Sequence, residues 1–209
     1  RRNAGTGDLF RGSDPEVSGL VNNLNANLGA VNVRGVDATA AYAIDLGPGR
    51  LTTSFMGSYL LERKISPLQG DQAAAYDCAG RINPTCQNTA PFVSTPEWRH
   101  IASARYAIDR FTLGLRWRYI GELDYEDKNG QALNTDVFLR DDGKLGAYNY
   151  IDLSGSMQLG DYATWTVGVN NVADKEPPMV GGSLAPTNAN AVGGYDQAGR
   201  YIFTSVAFR

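Results

Sequence analysis

The sequence lacks the features of several common protein classes. It has no run of about 18 apolar residues, so it predicts no membrane-spanning helix. It has no excess of basic residues, because 19 Lys and Arg stand against 22 Asp and Glu and give a formal net charge of −3. No nucleic-acid partner is expected, since phosphate backbones select basic surfaces. One histidine and two cysteines are too few for a four-ligand zinc site, and no cofactor is expected.

The sequence does contain turn residues and aromatics in a β-type pattern. Glycine accounts for 24 of 209 residues and tyrosine for 11, and apolar residues alternate with polar ones instead of recurring at helical spacing. The mean hydropathy of −0.30 does not exclude a membrane protein, because the strands of a membrane β-barrel alternate between an apolar and a polar face.

Segment 111–121 shows this alternation most clearly. Its odd positions are apolar, Leu115 and Trp117 among them, whereas its even positions include Arg116 and Arg118. Successive side chains of a strand point to opposite faces, so this segment separates two very different environments. The same alternation predicts six further strands, over residues 36–46, 51–65, 98–108, 151–159, 163–169 and 202–208.

Short and long connections alternate between these seven strands. The short ones are residues 47–49, 109–110 and 160–161, and the long loops cover about 66–95, 122–147 and 173–198. All long loops therefore lie at one edge of an antiparallel meander, an arrangement typical of outer-membrane barrels. The predicted fold class is all-β, a transmembrane antiparallel β-barrel, with residues 1–30 as the remainder of a fourth long extracellular loop.

Seven strands do not close a bacterial barrel, which uses an even number and returns both chain ends to the periplasm. An open sheet edge is not tolerated in lipid, because each unpaired backbone group costs several kcal/mol. We therefore expect the remaining N-terminal strands to come from the same protein, as part of the same chain or as another chain. We also expect that a cut in an exposed loop separates the two parts.

Two other interpretations stay open at this point. One is a soluble, secreted, carbohydrate-binding β-sandwich, whose apolar faces would pack against a second sheet. The other is a small passive or structural outer-membrane barrel, which would need an eighth strand from residues 1–30. Strands of about ten residues and aromatics on the apolar faces favour the membrane barrel. The aromatic girdle facing lipid is predicted at Tyr42, Tyr59, Trp98, Trp117, Tyr119, Trp165 and Phe208.

The two cysteines lie close together in a polar stretch. Cys78 and Cys86 are separated by residues that include Gly80, Asn83 and Pro84. A disulfide between them would close a loop of about nine residues and stabilise the protein by roughly 2.5 kcal/mol in the chain-entropy model. We predict that they are bonded, which implies an oxidising compartment. Two free thiols in a reducing cytosol are the alternative.

Several stretches carry a family resemblance. Residues 165–178 read Trp-Thr-Val-Gly-Val-Asn-Asn-Val-Ala-Asp-Lys-Glu-Pro-Pro, and residues 199–203 read Gly-Arg-Tyr-Ile-Phe. They resemble the carboxyl end of TonB-dependent outer-membrane receptors, in which a strand enters an Asn-x-x-Asp-Lys-x-Pro-Pro turn and a long last loop leads to Gly-Arg and a closing strand. The resemblance spans about residues 30–209. It includes Arg-Gly-Val-Asp at 34–37, Pro-Glu-Trp-Arg at 96–99, Trp-Arg-Tyr-Ile-Gly at 117–121 and Tyr-Ile-Asp-Leu-Ser at 150–154.

This resemblance implies a fold and a function. The family fold is a 22-stranded barrel with a plug in its lumen, of which residues 31–209 would form the last seven strands. The implied activity is uptake of a scarce nutrient, either an iron–siderophore, haem, cobalamin or an oligosaccharide, across the Gram-negative cell outer membrane. The implied partners are the N-terminal strands and plug, the TonB complex acting through the plug, the small-molecule ligand, and outer-membrane lipid or lipopolysaccharide.

The polar faces contain a group of arginines predicted to line the lumen: Arg99, Arg105, Arg116 and Arg118. They could attract an anionic ligand. Alternatively, they could form ion pairs with carboxylates of the plug or of neighbouring strands. A plugged lumen must satisfy its buried charges, which favours ion pairs.

Other polar groups predict no catalytic or metal centre. His100 has no second histidine near it and is expected close to a rim or an interface, and Ser154 lacks the spacing of a nucleophile elbow. The acidic loop residues do not have EF-hand spacing. We therefore predict that the protein is not an enzyme. Solvated carboxylates are expected at Asp124, Glu126, Asp127, Asp136, Asp141 and Asp142.

The last strand carries an expectation about the end of the chain. Its outward positions are even and include Phe208, so the next outward position would be 210. Family members usually end on an outward aromatic. The resemblance and the parity together predict a native residue 210, expected to be Phe, over the alternative that Phe208 is the terminal signal. Mass spectrometry of the C-terminal peptide distinguishes the two.

Overall fold

The structure, a computed structural model, describes residues 30–66, 75–82, 86, 95–125, 144–179 and 194–208. Its strands in chain order are β1 (Ala30–Leu46), β2 (Gly49–Ser66), β3 (Tyr76–Asp77), β4 (Arg81–Ile82), β5 (Trp98–Ile108), β6 (Phe111–Ile120), β7 (Leu123–Tyr125), β8 (Lys144–Leu145), β9 (Tyr148–Leu159), β10 (Ala163–Asn170) and β11 (Tyr201–Phe208). No helix long and apolar enough to cross a membrane occurs in these ranges.

Seven strands form one antiparallel meander in the order β1-β2-β5-β6-β9-β10-β11. The sheet is not closed, and β1 and β11 are its two edges. The predicted all-β fold, with seven antiparallel strands in a meander, is therefore confirmed. Several sequence-based expectations fall outside the described residues: those for residues 1–29, Glu126, Asp127, Asp136, Asp141, Asp142 and the end of the chain beyond Phe208.

One apolar face runs through all seven strands. Residues directly opposite each other in a sheet share a face. One such row across the sheet is Ile44, Leu51, Tyr106, Leu113, Gly155, Val167 and Thr204. A slip of one residue between any two strands would move the apolar side chains of one strand to the other face. The register thus places most apolar positions of each strand on one face. The opposite, polar face carries Arg99, Arg105, Arg116, Arg118 and Asp152.

A β-bulge interrupts this pattern near the long-loop edge. Gly35 pairs with Leu60, but the next residue, Arg34, pairs with Glu62, so Leu61 is an extra residue in β2. The bulge exchanges the faces of β2 beyond it. As a result, the apolar face changes its character at the bulge. On the long-loop side of the bulge, the same face carries the ion pair between Arg34 Nε and Glu62 Oε2.

Tight turns connect the strands at the end of the sheet opposite the long loops. Gly47 and Gly160 adopt φ values of 57° and 62°, which glycine reaches without a steric penalty. Asp109 adopts φ 50° in the turn between β5 and β6, as aspartate in a hairpin turn can. The hydroxyl of Tyr106 also donates to the carbonyl of Leu46, at 2.8 Å. The short-turn edge is thereby fixed to its neighbouring strands.

Two of the long loops contain short strands that the sequence analysis did not predict. Strand β3 pairs with the end of β2, while β4 runs parallel to β7, which pairs antiparallel with β8. The loop before β5 and the loop after β6 therefore share a small three-stranded sheet. Strands of two or three residues are too short to show an alternating pattern, which is why the sequence did not predict them.

Candidate functional site

The most extensive polar network lies on the polar face of β6 and β9. The register places Arg116 opposite Asp152 and Arg118 opposite Tyr150, so both guanidinium groups approach one carboxylate. Arg116 Nε donates to Asp152 Oδ2 at 2.7 Å, and Arg118 donates to both oxygens of Asp152 at 3.1 Å. The Asp152 side chain is only 6% exposed. Two of the four predicted lumen arginines are thus paired with a neighbouring strand.

The carboxylate of Asp152 also holds the backbone of the next loop. The backbone N–H of Asn171 donates to Asp152 Oδ1 at 2.8 Å. With the three arginine hydrogen bonds, each oxygen of Asp152 accepts two, which fills the usual capacity of a carboxylate. Asp152 therefore connects the sheet to the turn that follows β10.

Arg118 extends the network to the last long loop. Its Nη2 donates to Asp196 Oδ2 at 2.8 Å, and its guanidinium lies 4.9 Å from the centre of the Tyr150 ring. The backbone N–H of Asp196 in turn donates to the Tyr150 hydroxyl at 3.3 Å. Arg118 and the buried Tyr150 thus attach the segment around Asp196 to the sheet.

The Asn-x-x-Asp turn after β10 is organised by the side chain of Asn171, which is fully buried. Its Nδ2 donates to the Lys175 carbonyl and its Oδ1 accepts from the Lys175 N–H, both at 2.9 Å. Asn171 itself adopts φ 50°, a conformation that asparagine tolerates better than most residues. Asp174 then accepts a hydrogen bond from the backbone N–H of Arg200 at 2.8 Å, which joins the turn to the start of β11. These contacts give the side chains of Asn171 and Asp174 specific roles in the turn.

Substitution of Asn171 should loosen this turn in graded steps. Asn171→Gly keeps access to positive φ but removes both side-chain hydrogen bonds, and we expect a loss of about 2 kcal/mol. Asn171→Ala also introduces backbone strain, and we expect about 1 kcal/mol more. Hydrogen exchange at the N–H of Lys175 measures the effect, and an unchanged exchange rate in both variants would contradict it.

The described parts of the three long loops pack against one another. A buried apolar cluster contains one or more residues from each of them and from β9: Ile82, Leu123, Leu145, Tyr150 and Tyr195. The first and second loops are also joined by backbone, since the N–H of Asp124 donates to the Gly80 carbonyl at 2.8 Å. The described parts of the loops therefore form one packed layer.

Cys78 and Cys86 form a disulfide in the structure. Both are buried and pack with Ile65 at the end of β2. The N–H of Cys78 donates to the carbonyl of Arg63 at 2.9 Å, so the disulfide-linked segment lies against the main sheet.

We expect neither cysteine to be alkylated in the native protein without prior reduction. Removing the bond by Cys78→Ser with Cys86→Ser should cost about 2.5 kcal/mol, because the unfolded chain loses a closed loop. Peptide mapping under non-reducing conditions tests the bond, and recovery of either cysteine in alkylated form would refute it.

His100 lies on the apolar face among aromatic rings, near the long-loop edge. Its Nδ1 accepts a hydrogen bond from Trp98 Nε1 at 2.9 Å. The ring packs edge-on against Trp117 at 4.4 Å and stacks on Tyr119 at 5.1 Å, measured between centroids. This packing leaves Trp98 and Tyr119 only half-exposed, whereas the other predicted girdle residues are exposed: Tyr42, Tyr59, Trp117, Trp165 and Phe208.

The remaining predicted residues do not join the Asp152 network. Arg99 and Arg105 lie on the polar face, and neither has an ion-pair partner within the described ranges. Asp124 forms an ion pair with Lys144 at 3.2 Å, and its hydrogen bond, followed by its negative charge, raises the pKa of that exposed lysine. The described residues contain no group of three or more His, Cys, Asp or Glu side chains that could hold a metal.

The alternating pattern of the sequence does not indicate that Asp152, Asp196 and Asn171 belong to this network. Asp152 could have been found, because it occupies a polar-face position in a strand adjacent to Arg116 and Arg118. Asp196 could not, since it lies in a long loop where no periodic pattern fixes its position.

The comparisons with known proteins agree with this architecture. The family model for the β-barrel of TonB-dependent receptor-like proteins matches residues 3–172. A solved structure of a mutant ferric enterobactin receptor from Pseudomonas aeruginosa superimposes with a TM-score of 0.50 at 20% identity, over 84% of this chain and 22% of that chain. This likeness shows the fold alone, and the present chain spans about a fifth of the length of that receptor. No curated protein matches the chain. With most of its length matched by the family model, this chain belongs to the TonB-dependent receptor-like β-barrel family.

Proposed function

We propose that the chain forms part of the barrel wall and the extracellular loops of a receptor that takes up a scarce nutrient across the Gram-negative outer membrane. Energy for uptake would come from the TonB complex, acting on a plug inside the barrel. The observation that carries this proposal is the two-faced sheet, in which a continuous apolar face opposes a polar face with four arginines. A barrel wall between lipid and an aqueous or plugged lumen requires such a difference.

The tryptophans of the apolar face support contact with lipid. Each of the three indole N–H groups has an acceptor in the sheet: Trp98 donates to His100, Trp117 to Asn149 and Trp165 to Thr204, at 2.8–2.9 Å. Lipid tails offer no hydrogen-bond acceptor, so a donor facing them needs a partner within the protein. In this proposal Tyr42, Tyr59, Trp98, Trp117, Tyr119, Trp165 and Phe208 are the aromatic girdle.

The proposed orientation places the long loops outside the cell and the tight turns in the periplasm. Outer-membrane barrels have long extracellular loops and short periplasmic turns. The charged pair of Arg34 and Glu62 beyond the bulge then lies above the apolar layer, near the lipid headgroups. The disulfide in the first loop fits an oxidising location.

A ferric siderophore is the first ligand class to test, because the structurally similar protein is a ferric enterobactin receptor. Haem, cobalamin and an oligosaccharide, which the sequence resemblance also implies, are the other candidate classes. The proposed partners are the N-terminal strands and plug, the TonB complex, and outer-membrane lipid or lipopolysaccharide.

Uptake assays test this proposal. A strain without the gene that encodes this chain should lose uptake of one labelled compound among ferric siderophores, haem, cobalamin and oligosaccharides. Removal of TonB should abolish the same uptake. Uptake that persists without TonB would indicate a passive barrel, and an encoded protein that stays soluble without detergent would indicate a secreted β-sandwich.

A further inference from the structure

The polar face contains a pocket of about 190 Å³ beside the Asp152 network. Its floor is formed by small residues of three neighbouring strands, Ser103, Gly114 and Ser154. A Cβ at position 114 would lie 2.5 Å from Ser154 Oγ, so the glycine makes room for that hydroxyl. The volume corresponds to about six water molecules, enough for one small polar group. The side chains that line it include Ser103, Arg105, Arg116, Asp152, Ser154 and Phe203.

The charges around this pocket are unbalanced. Arg118 is engaged with Asp152 and Asp196, and both oxygens of Asp152 are fully used. Arg116 contacts Asp152 only through Nε, so the two terminal nitrogens of its guanidinium have no partner among the described residues. Arg105 has no ion pair there either. Three guanidinium groups thus stand against two carboxylates, an excess of one positive charge.

We propose that this pocket binds one carboxylate group, held by Arg105 and the free edge of Arg116. The planar guanidinium matches the two oxygens of a carboxylate, and a single anion would neutralise the excess charge. The Ser103 and Ser154 hydroxyls are additional hydrogen-bond donors at the floor. The carboxylate comes either from an acidic side chain inside the barrel or from a small carboxylate compound in the lumen. The inference uses the proposed function only in placing the polar face toward the lumen.

Carbodiimide cross-linking in the complete receptor tests this site. Arg105→Lys keeps the positive charge and supplies an amine. A carbodiimide adds to a bound carboxylate and forms an O-acylisourea. The introduced amine then attacks the acyl carbon, so that an amide bond forms and the former carbodiimide leaves as a urea. Thr112→Lys is the control, because position 112 lies on the same face but does not line the pocket. Cross-linked products are mapped by mass spectrometry, with and without succinate as the carboxylate probe. No transport measurement is involved, so the result is independent of the uptake assays.

We expect loss of the free amine at position 105 and its retention at position 112. A cross-link to an acidic residue outside this chain's strands, formed without succinate, identifies a side chain of the protein as the source. A succinyl amide that forms only with succinate identifies a small carboxylate as the source. An unreacted amine at 105, a cross-link to Asp152 alone, or equal reaction at both positions would overturn the proposal.

Discussion

Replacing Leu115 by arginine is expected to block assembly of the receptor in the membrane. Leu115 lies on the apolar face in the middle of β6, between Ala104 and Leu153 of the neighbouring strands. A charge on the lipid face near the middle of the bilayer costs about 2–4 kcal/mol. That cost corresponds to a roughly 30- to 1,000-fold shift against the inserted state. The yield of heat-modifiable protein in outer-membrane fractions measures the effect.

Met56→Arg is the matched control for this substitution. Met56 is also a large, exposed apolar residue within a long strand, but its register with Thr39 and Ile101 places it on the polar face. An arginine there would face the lumen, where charges are tolerated, so we expect assembly close to that of the unaltered protein. Equal yields of the two variants would contradict the assignment of the faces.

Asp152→Asn should produce the largest loss of stability among substitutions of the polar face. It removes the carboxylate that Arg116, Arg118 and the Asn171 N–H share. Breaking a buried ion pair by removing one partner costs about 3–5 kcal/mol, because the remaining charges are left uncompensated. Arg116 is half-exposed, so we expect a value near the lower end, about 3 kcal/mol. Denaturant titration of the folded receptor in detergent measures this loss.

The control for this effect is Asp45→Asn at the short-turn edge. The Asp45 carboxylate is 81% exposed and lies 3.5 Å from Arg50. Exposed ion pairs contribute about 0–1 kcal/mol, so this variant should unfold almost as the unaltered protein does. A similar small loss in both variants would show that the Asp152 network does not hold the loops to the sheet.

The strands of the main sheet could be predicted because their environments differ on the two faces. The alternation over 111–121 predicted both the strand and the face of the sheet on which Arg116 and Arg118 lie. The positions of the strand ends were predicted less accurately. Strand β1 begins at Ala30, whereas the alternation predicted a start at 36, because backbone pairing continues beyond the bulge where the apolar pattern stops.

The polar network could be predicted only in part. The sequence indicated that lumen arginines would pair with carboxylates, and Arg116 and Arg118 do so. It could not indicate Asp196, because contacts between a loop and a strand leave no periodic signal. The role of Asn171 was also hidden, since its buried hydrogen bonds to Lys175 depend on a positive φ that one sequence does not reveal.

We predict that the apolar face of the sheet contacts lipid and that the polar face contacts the lumen. Spin labels attached to single cysteines introduced along β6 (Phe111–Ile120) of the receptor in native outer membrane test it most directly. We predict that odd positions collide mainly with dissolved oxygen, which concentrates in lipid, and even positions with a water-soluble nickel complex, a period of two residues. The opposite assignment, or accessibility without alternation, would contradict the account.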